Sequence, residues 1–128
     1  MVKLNYAQGK NEISNQNGVQ INGSKAPDLQ GLSPKELLEG AVALCLSITL
    51  EKILERDEVT VDLNEIEIEV KATKAEDVTN RFTDFEANVT FPKEIDEDYK
   101  QKLIKLIERG CTISNTLIAE AKVKLKAK

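Results

Sequence analysis

Cys45 and Cys111 are the two cysteines of this 128-residue chain, and they form the only site equipped to do chemistry. The sequence contains no histidine, which removes the usual general base, the histidine-paired nucleophile and the commonest metal ligand. The two cysteines also lack C-x-x-C spacing, so they do not form a zinc site. What remains is thiol chemistry, supported by carboxylates and by lysine or arginine side chains.

Each cysteine also has an ordinary structural explanation. Cys45 lies in an apolar helical segment between Leu44 and Leu46, where a free cysteine commonly serves as a small core residue. Cys111 directly follows Gly110, a residue type that ends helices, and a turn residue needs no reactivity. Neither cysteine indicates a reaction by itself, so the elements that position them matter.

The composition limits the classes of function. A net charge of -4, with two tyrosines, three phenylalanines and no tryptophan, is wrong for a nucleic-acid binder. The most apolar stretch, 37–50, is shorter than the roughly 20 residues that cross a bilayer. No signal peptide is recognisable at Met1, and no glycine-rich phosphate loop follows a strand. We therefore expect a cytoplasmic protein with reduced thiols that binds no cofactor, metal, nucleic acid or membrane.

The first half of the sequence predicts a meander followed by a long helix. Residues 1–25 alternate apolar segments with turn residues, and Asn17-Gly18 predicts a type I′ turn, because both positions tolerate positive φ. Ser33 is the expected N-cap of the helix, and Glu36 closes a capping box, a role that needs no catalysis. The helix should end near Arg56. Because its middle part is apolar on nearly every face, it should be the buried central element.

The second half predicts two strands, a second helix and a closing strand. Residues 61–73 and 85–91 alternate apolar and polar side chains, which is typical of a half-buried hairpin. Asp96 should open the second helix, and Gly110 should stop it as the C′ residue. A short helical segment follows Cys111. A last strand should then contain Val123 and Leu125, which alternate with Lys122, Lys124, Lys126 and Lys128.

This order of elements predicts one α+β domain over residues 1–128, with antiparallel sheets packed around two helices. The first helix is long, buried and central. A helix this apolar needs cover on several sides, more than one curved sheet of a single chain is expected to give. We therefore infer a homodimer that completes the sandwich.

The segments around both cysteines resemble a known family. Ser-Pro-Lys-Glu-Leu-Leu-Glu-Gly-Ala-Val-Ala-Leu-Cys at 33–45 and Gly-Cys-Thr-Ile-Ser-Asn-Thr-Leu at 110–117 are similar to the OsmC/Ohr family of organic-hydroperoxide and osmotically induced proteins. The likeness extends from the opening meander to the last strand. It implies an intertwined homodimer in which sheets wrap two long central helices.

The resemblance also implies an activity, that of a thiol peroxidase acting on organic hydroperoxides or hydrogen peroxide in oxidative stress defence. Cys45 matches the peroxidatic cysteine, Cys111 the resolving cysteine, and Glu36 the acidic residue of the helix start. A Cys45 sulfenic acid would condense with Cys111 to a disulfide, which a dithiol reductant reopens. Glu36 lies about 13 Å before Cys45 along the helix, so it needs a bridging arginine or the partner subunit to serve the thiol.

Two departures from the family pattern leave other functions open. The family's N-terminal arginine has no counterpart, so a mid-helix Cys45 in apolar surroundings should have a raised pKa. We consider Lys35 of the partner chain and Arg109 as replacements for that cation. The usual Cys-Pro-x-His is here Cys-Thr-Ile-Ser at 111–114. The alternatives are a redox-quiet dimer that binds a small apolar ligand between the central helices, and a thiol redox sensor.

Overall fold

The computed structural model describes all residues from 1 to 128. Its elements are β1 (Val2–Ala7), β2 (Lys10–Asn15), β3 (Gln20–Gly23), α1 (Pro34–Arg56), β4 (Glu67–Thr73), β5 (Asp84–Thr90), α2 (Glu97–Gly110) and α3 (Thr112–Ile118). Strands β1, β2 and β3 form one antiparallel sheet, and β4 and β5 form another. The predicted α+β class with antiparallel sheets is therefore confirmed. The chain divides into two compact units, Met1–Gly40 and Ala41–Lys128, and the single domain stays a prediction.

The N-terminal unit contains the predicted meander, with one turn of a different kind. The tight turn with two positive φ angles joins β1 to β2 at Gln8 (51°) and Gly9 (76°). The predicted type I′ turn at Asn17-Gly18 is wrong, because only Gly18 has a positive φ, of 86°. Asn15 explains the difference. Its side-chain oxygen accepts hydrogen bonds from the N–H groups of Asn17 and Val19, and its backbone carbonyl accepts one from Gly18. These bonds stabilise a wider turn.

Helix α1 begins as its sequence predicts. The Ser33 hydroxyl accepts a hydrogen bond from the Glu36 N–H at 3.2 Å, and the Glu36 carboxylate accepts one from the Ser33 N–H at 2.9 Å. This reciprocal pair is the predicted capping box. It gives hydrogen-bond partners to the backbone N–H groups of Ser33 and Glu36, so it fixes the start of α1.

One face of α1 is buried and the opposite face is not. The buried face consists of Val42, Leu46, Leu50, Ile53 and Leu54. On the other side, Leu44 is 63% exposed and Ile48 is 44% exposed. The predicted burial of this helix is therefore observed on one face only within this chain.

The core of the C-terminal unit lies between α1, α2 and the β4–β5 sheet. The buried face of α1 packs with Ile95, Leu103, Ile107 and Cys111, and apolar side chains of β4 and β5 cover it. Strand β4 begins at Glu67, so the strand predicted from residue 61 is wrong at its start. Asp62 caps a short 3₁₀ turn, Leu63–Glu65, and this local hydrogen bonding competes with strand formation.

Helix α2 begins at its predicted cap and ends in an unpredicted way. Asp96 accepts a hydrogen bond from the Tyr99 N–H at 2.8 Å. Gly110, predicted as the C′ residue, is instead the last residue of α2 and has no positive φ. The reason for glycine is space. A Cβ atom at Gly110 would lie 2.9 Å from Cγ2 of Thr49 on α1.

A second contact joins α2 to the end of α1. The Tyr99 hydroxyl donates a hydrogen bond to the Asp57 carboxylate at 2.8 Å. Burial and the neighbouring carboxylate raise the pKa of Tyr99 to about 12, and the same hydrogen bond lowers the pKa of Asp57. The bond connects residues that are 42 positions apart, so it fixes where α2 starts against α1.

The C-terminal residues do not form the predicted last strand. No regular element follows α3, and Val123 and Leu125 are 89% and 96% exposed. Alternation produces a strand only where a sheet edge and an apolar surface are available to it, and the tail meets neither within this chain. None of the three helices combines the length and hydrophobicity needed to cross a bilayer.

Candidate active site

Cys45 lies on α1 and faces the junction between α2 and α3. The thiol is half-buried. The backbone N–H groups of Ile113 and Thr112, at the start of α3, and the side chain of Cys111 lie near its sulfur and stabilise its thiolate. The fold thus brings together two cysteines that are remote in the sequence, and surrounds one of them with donors.

Cys111 is the residue at which α2 ends and α3 begins. Its N–H donates to the carbonyl of Ile107 at 3.1 Å, which closes α2, and its Sγ accepts from the N–H of Ser114 at 3.4 Å, which caps α3. The side chain is fully buried, at 0% exposure. Both cysteines are free thiols. The position of the Cys111 sulfur is therefore set by the ends of two helices at once.

This environment lowers the pKa of Cys45. The largest cause is the hydrogen bond from the Ile113 backbone, followed by that from the Cys111 thiol, while burial acts in the opposite direction. The Thr112 backbone and the charge of Lys52 make smaller contributions in the lowering direction. The predicted rise in the pKa of Cys45 is therefore wrong, because donors from the α2–α3 junction stabilise the thiolate across the helix packing.

An open groove in the C-terminal unit is lined by chain neighbours of both cysteines but by neither cysteine itself. Its volume is about 660 Å³. Val42 and Leu46, which bracket Cys45 along α1, line one side, and Ser114, whose N–H contacts the Cys111 sulfur, lines another. The remaining lining residues are Arg81, Phe82, Thr83, Phe85, Ala87, Glu108, Leu117 and Ile118. The lining of the groove combines apolar side chains with polar ones, including one cation, Arg81, and one anion, Glu108.

The comparison with protein families decides the relationship. A family model described as OsmC-like protein matches residues 25–126, a segment that contains both cysteines. The chain belongs to the OsmC-like protein family. A search of curated protein sequences finds no significant match.

Solved structures support the OsmC-like fold. The OsmC-like protein from Mycoplasma pneumoniae has 14% identity and a TM-score of 0.77, over 92% of this chain and 86% of that chain. The organic hydroperoxide resistance protein OhrB of Bacillus subtilis has 23% identity and a TM-score of 0.61, over 100% and 98% of the two chains. An organic hydroperoxide resistance protein OsmC from Legionella pneumophila has 10% identity and a TM-score of 0.66, over 91% and 87%. At these identities the likeness establishes the shared fold.

Of the other residues predicted for the OsmC-like site, Glu36 and Lys35 have side-chain partners of their own. Glu36 and Lys35 lie in the first turn of α1, where Glu36 bonds Ser33 and Lys35 pairs with Glu39 at 3.6 Å. The carbonyl of Arg109 accepts a hydrogen bond from the Asn115 side chain. The catalytic role of Glu36 and the cationic roles of Lys35 and Arg109 stay predictions.

Sequence reasoning missed three contributors to the thiol environment. Lys52 is seven residues after Cys45, two turns along the same face of α1, and this spacing could have identified it. The amides of Thr112 and Ile113 carry no sequence signal, because any residue type supplies an N–H. No three or more histidine, cysteine, aspartate or glutamate side chains converge as a metal ion would require.

The lowered pKa of Cys45 predicts its reactivity as a function of pH. Because the thiolate is the reacting form, the rate of Cys45 alkylation by iodoacetamide should reach half its maximum below the ordinary thiol value of 9.0. Replacing Lys52 with glutamine should raise this midpoint slightly, and added salt should shrink the difference, since Lys52 is exposed. Mass spectrometry of the Cys45 peptide measures the rate. K105Q, at another exposed lysine, is the matched control, and a wild-type midpoint at or above 9.0 contradicts the prediction.

Proposed function

We propose that this OsmC-like protein is a thiol peroxidase that reduces hydroperoxides through Cys45 and Cys111. The observation that carries the proposal is the pair of neighbouring free thiols, Cys45 half-buried with a lowered pKa and Cys111 fully buried. A lowered pKa increases the fraction of Cys45 that is thiolate at neutral pH, and the thiolate is the nucleophile. A neighbouring thiol supplies the group that resolves the oxidised product.

The first step oxidises Cys45. Its thiolate attacks one oxygen of the hydroperoxide, an S–O bond forms, and the O–O bond breaks. The sulfur becomes a sulfenic acid, and the leaving alkoxide takes a proton to give the alcohol. The donors from Ile113, Thr112 and Cys111 stabilise the thiolate before attack.

The second step forms a disulfide and the third restores the thiols. The Cys111 sulfur attacks the sulfur of the sulfenic acid, an S–S bond forms, and the hydroxyl leaves as water after taking the Cys111 proton. A dithiol reductant then exchanges with the disulfide and leaves oxidised, which returns both cysteines to thiols. This cycle needs a reducing compartment, so we place the protein in the cytoplasm.

The groove favours organic hydroperoxides over hydrogen peroxide. The apolar side chains in its lining, including Phe82 and Phe85, can contact the hydrocarbon part of a substrate, which hydrogen peroxide lacks. The names of the structural relatives from Bacillus subtilis and Legionella pneumophila refer to organic hydroperoxide resistance. We therefore propose that the physiological substrate carries an organic group.

Rapid mixing of the reduced protein with an alkyl hydroperoxide tests the proposed function. The rate constant for loss of the first thiol should exceed that of free cysteine at the same pH by orders of magnitude, and it should be larger for the alkyl hydroperoxide than for hydrogen peroxide. A rate equal to that of free cysteine would leave a ligand-binding protein as the better description. Slow oxidation coupled to altered partner binding would indicate a redox sensor.

We further propose a homodimer, supported by the exposed face of α1. Leu44 and Ile48 leave an apolar surface in the middle of a long helix, which is unusual for a helix in water. Light scattering should give twice the 14.2 kDa mass of one chain. L44E should return the single-chain mass, because it buries a charge in the interface. V19E, at a residue 64% exposed in the meander, should not, and a single-chain mass for the wild type contradicts the dimer.

A further inference from the structure

Gly110, directly before Cys111, packs against Thr49 of α1. A Cβ atom at this position would be 2.9 Å from Cγ2 of Thr49, whereas carbon atoms in favourable contact are about 3.5–4.0 Å apart. Any other residue at 110 therefore requires Thr49 or the end of α2 to move. Gly40, in α1, has no atom within 4 Å of its ideal Cβ position, so this restriction is specific to Gly110 among the two helical glycines.

Thr49 cannot move without losing a contact near the other thiol. Its Oγ1 donates a hydrogen bond at 2.8 Å to the backbone carbonyl of Cys45, one turn earlier in α1. A β-branched side chain in a helix also has few allowed χ1 values. The cost of a Cβ at 110 therefore falls on the end of α2, which carries Cys111.

We propose that Gly110 is a positioning residue that sets the separation between the Cys111 and Cys45 sulfurs. Glycine allows the last turn of α2 to touch Thr49, and the next residue then meets Cys45, one turn away on α1. A larger residue displaces the end of α2 and carries the Cys111 sulfur away from Cys45. The consequence of this positioning for catalysis rests on the proposed peroxidase function, whereas the effect of Gly110 on the distance between the two sulfurs does not.

The redox equilibrium of the full-length protein with glutathione measures this separation without any peroxide. The fraction of Cys45–Cys111 disulfide, read by alkylation and mass spectrometry, gives the effective concentration of one thiol at the other. We expect Gly110→Ala to lower it by about tenfold or more, since a misplacement of about 1 Å can cost about 10²-fold. A change that only altered overall stability would not move this ratio in the folded protein.

Removing the opposing methyl group should restore the pair. Thr49→Ser keeps the hydroxyl and deletes Cγ2, so the double variant G110A/T49S should return to within about threefold of the wild type. The matched control G40A introduces alanine in α1 where space is free and should leave the equilibrium unchanged. If G110A does not fold, the relief of the contact is read in G110A/T49S alone, which should fold and give an effective concentration within about threefold of the wild type.

The outcomes separate this proposal from the peroxidase. An unchanged effective concentration in folded G110A overturns the positioning role, and so does a failure of G110A/T49S to fold, whatever the reaction with hydroperoxide. A loss that G110A/T49S does not recover also overturns it, because the Thr49 contact would not be the cause. A loss with recovery, in a protein that does not react with hydroperoxide, supports the positioning role and removes the proposed function.

Discussion

Replacing Cys45 with serine should abolish hydroperoxide reduction, with a fall in rate on the order of 10³-fold or more. A serine hydroxyl remains protonated at neutral pH, so the donors that lower the pKa of Cys45 have no anion to stabilise. Steady-state consumption of an alkyl hydroperoxide with a dithiol reductant measures the effect. Serine is close in size to cysteine and the position is half-buried, so the fold should persist.

The matched control for C45S is the other thiol. Cys111 is fully buried, so in C45S it should react no faster with hydroperoxide than the cysteine of a short peptide. Peroxide consumption by C45S at the wild-type rate would contradict the assignment of Cys45 as the nucleophile. It would then make Cys111 the reacting thiol.

Replacing Cys111 with serine should separate the two halves of the cycle. The first oxidation should proceed at a rate within about tenfold of the wild type, since a serine hydroxyl can also donate to the Cys45 thiolate. The disulfide cannot form, so turnover with a dithiol should fall at least about tenfold and a Cys45 sulfenic acid should accumulate. Trapping with dimedone, followed by mass spectrometry, detects this species.

The C111S variant should keep the fold of the wild type. The Cys111 sulfur caps α3 by accepting from the Ser114 N–H, and serine is a preferred N-cap residue, so α3 should be kept. Circular dichroism checks this point. Wild-type turnover by folded C111S would contradict the resolving role, because the reductant would then act directly on the Cys45 sulfenic acid.

Local signals in the sequence predicted the elements that carry the site. The Ser33–Glu36 capping box fixed the start of α1, and Asp96 fixed the start of α2, because a cap depends on residues within one turn of each other. The alternation in residues 85–91 indicated β5 for the same reason. The positions of Cys45 and Cys111 on these elements followed directly.

The contacts that make the site reactive could not be predicted in this way. The largest cause of the lowered pKa of Cys45 is the backbone N–H of Ile113, 68 positions away, and an N–H has no residue signature. Gly110 was interpreted only as a helix stop. Its packing partner, Thr49, is remote in the sequence, so the contact between them carried no local signal. The prediction of a last strand was wrong for a related reason. Alternation at Val123 and Leu125 does not indicate whether a sheet edge is available to pair with.

The most direct test of the central claim is a count of thiols after one equivalent of alkyl hydroperoxide has reacted with the reduced protein. If Cys45 and Cys111 act as one redox unit, a single equivalent removes both thiols. Peptide mapping then finds a Cys45–Cys111 disulfide within one chain. Loss of only one thiol, or a disulfide between two copies of the same cysteine, would contradict the claim.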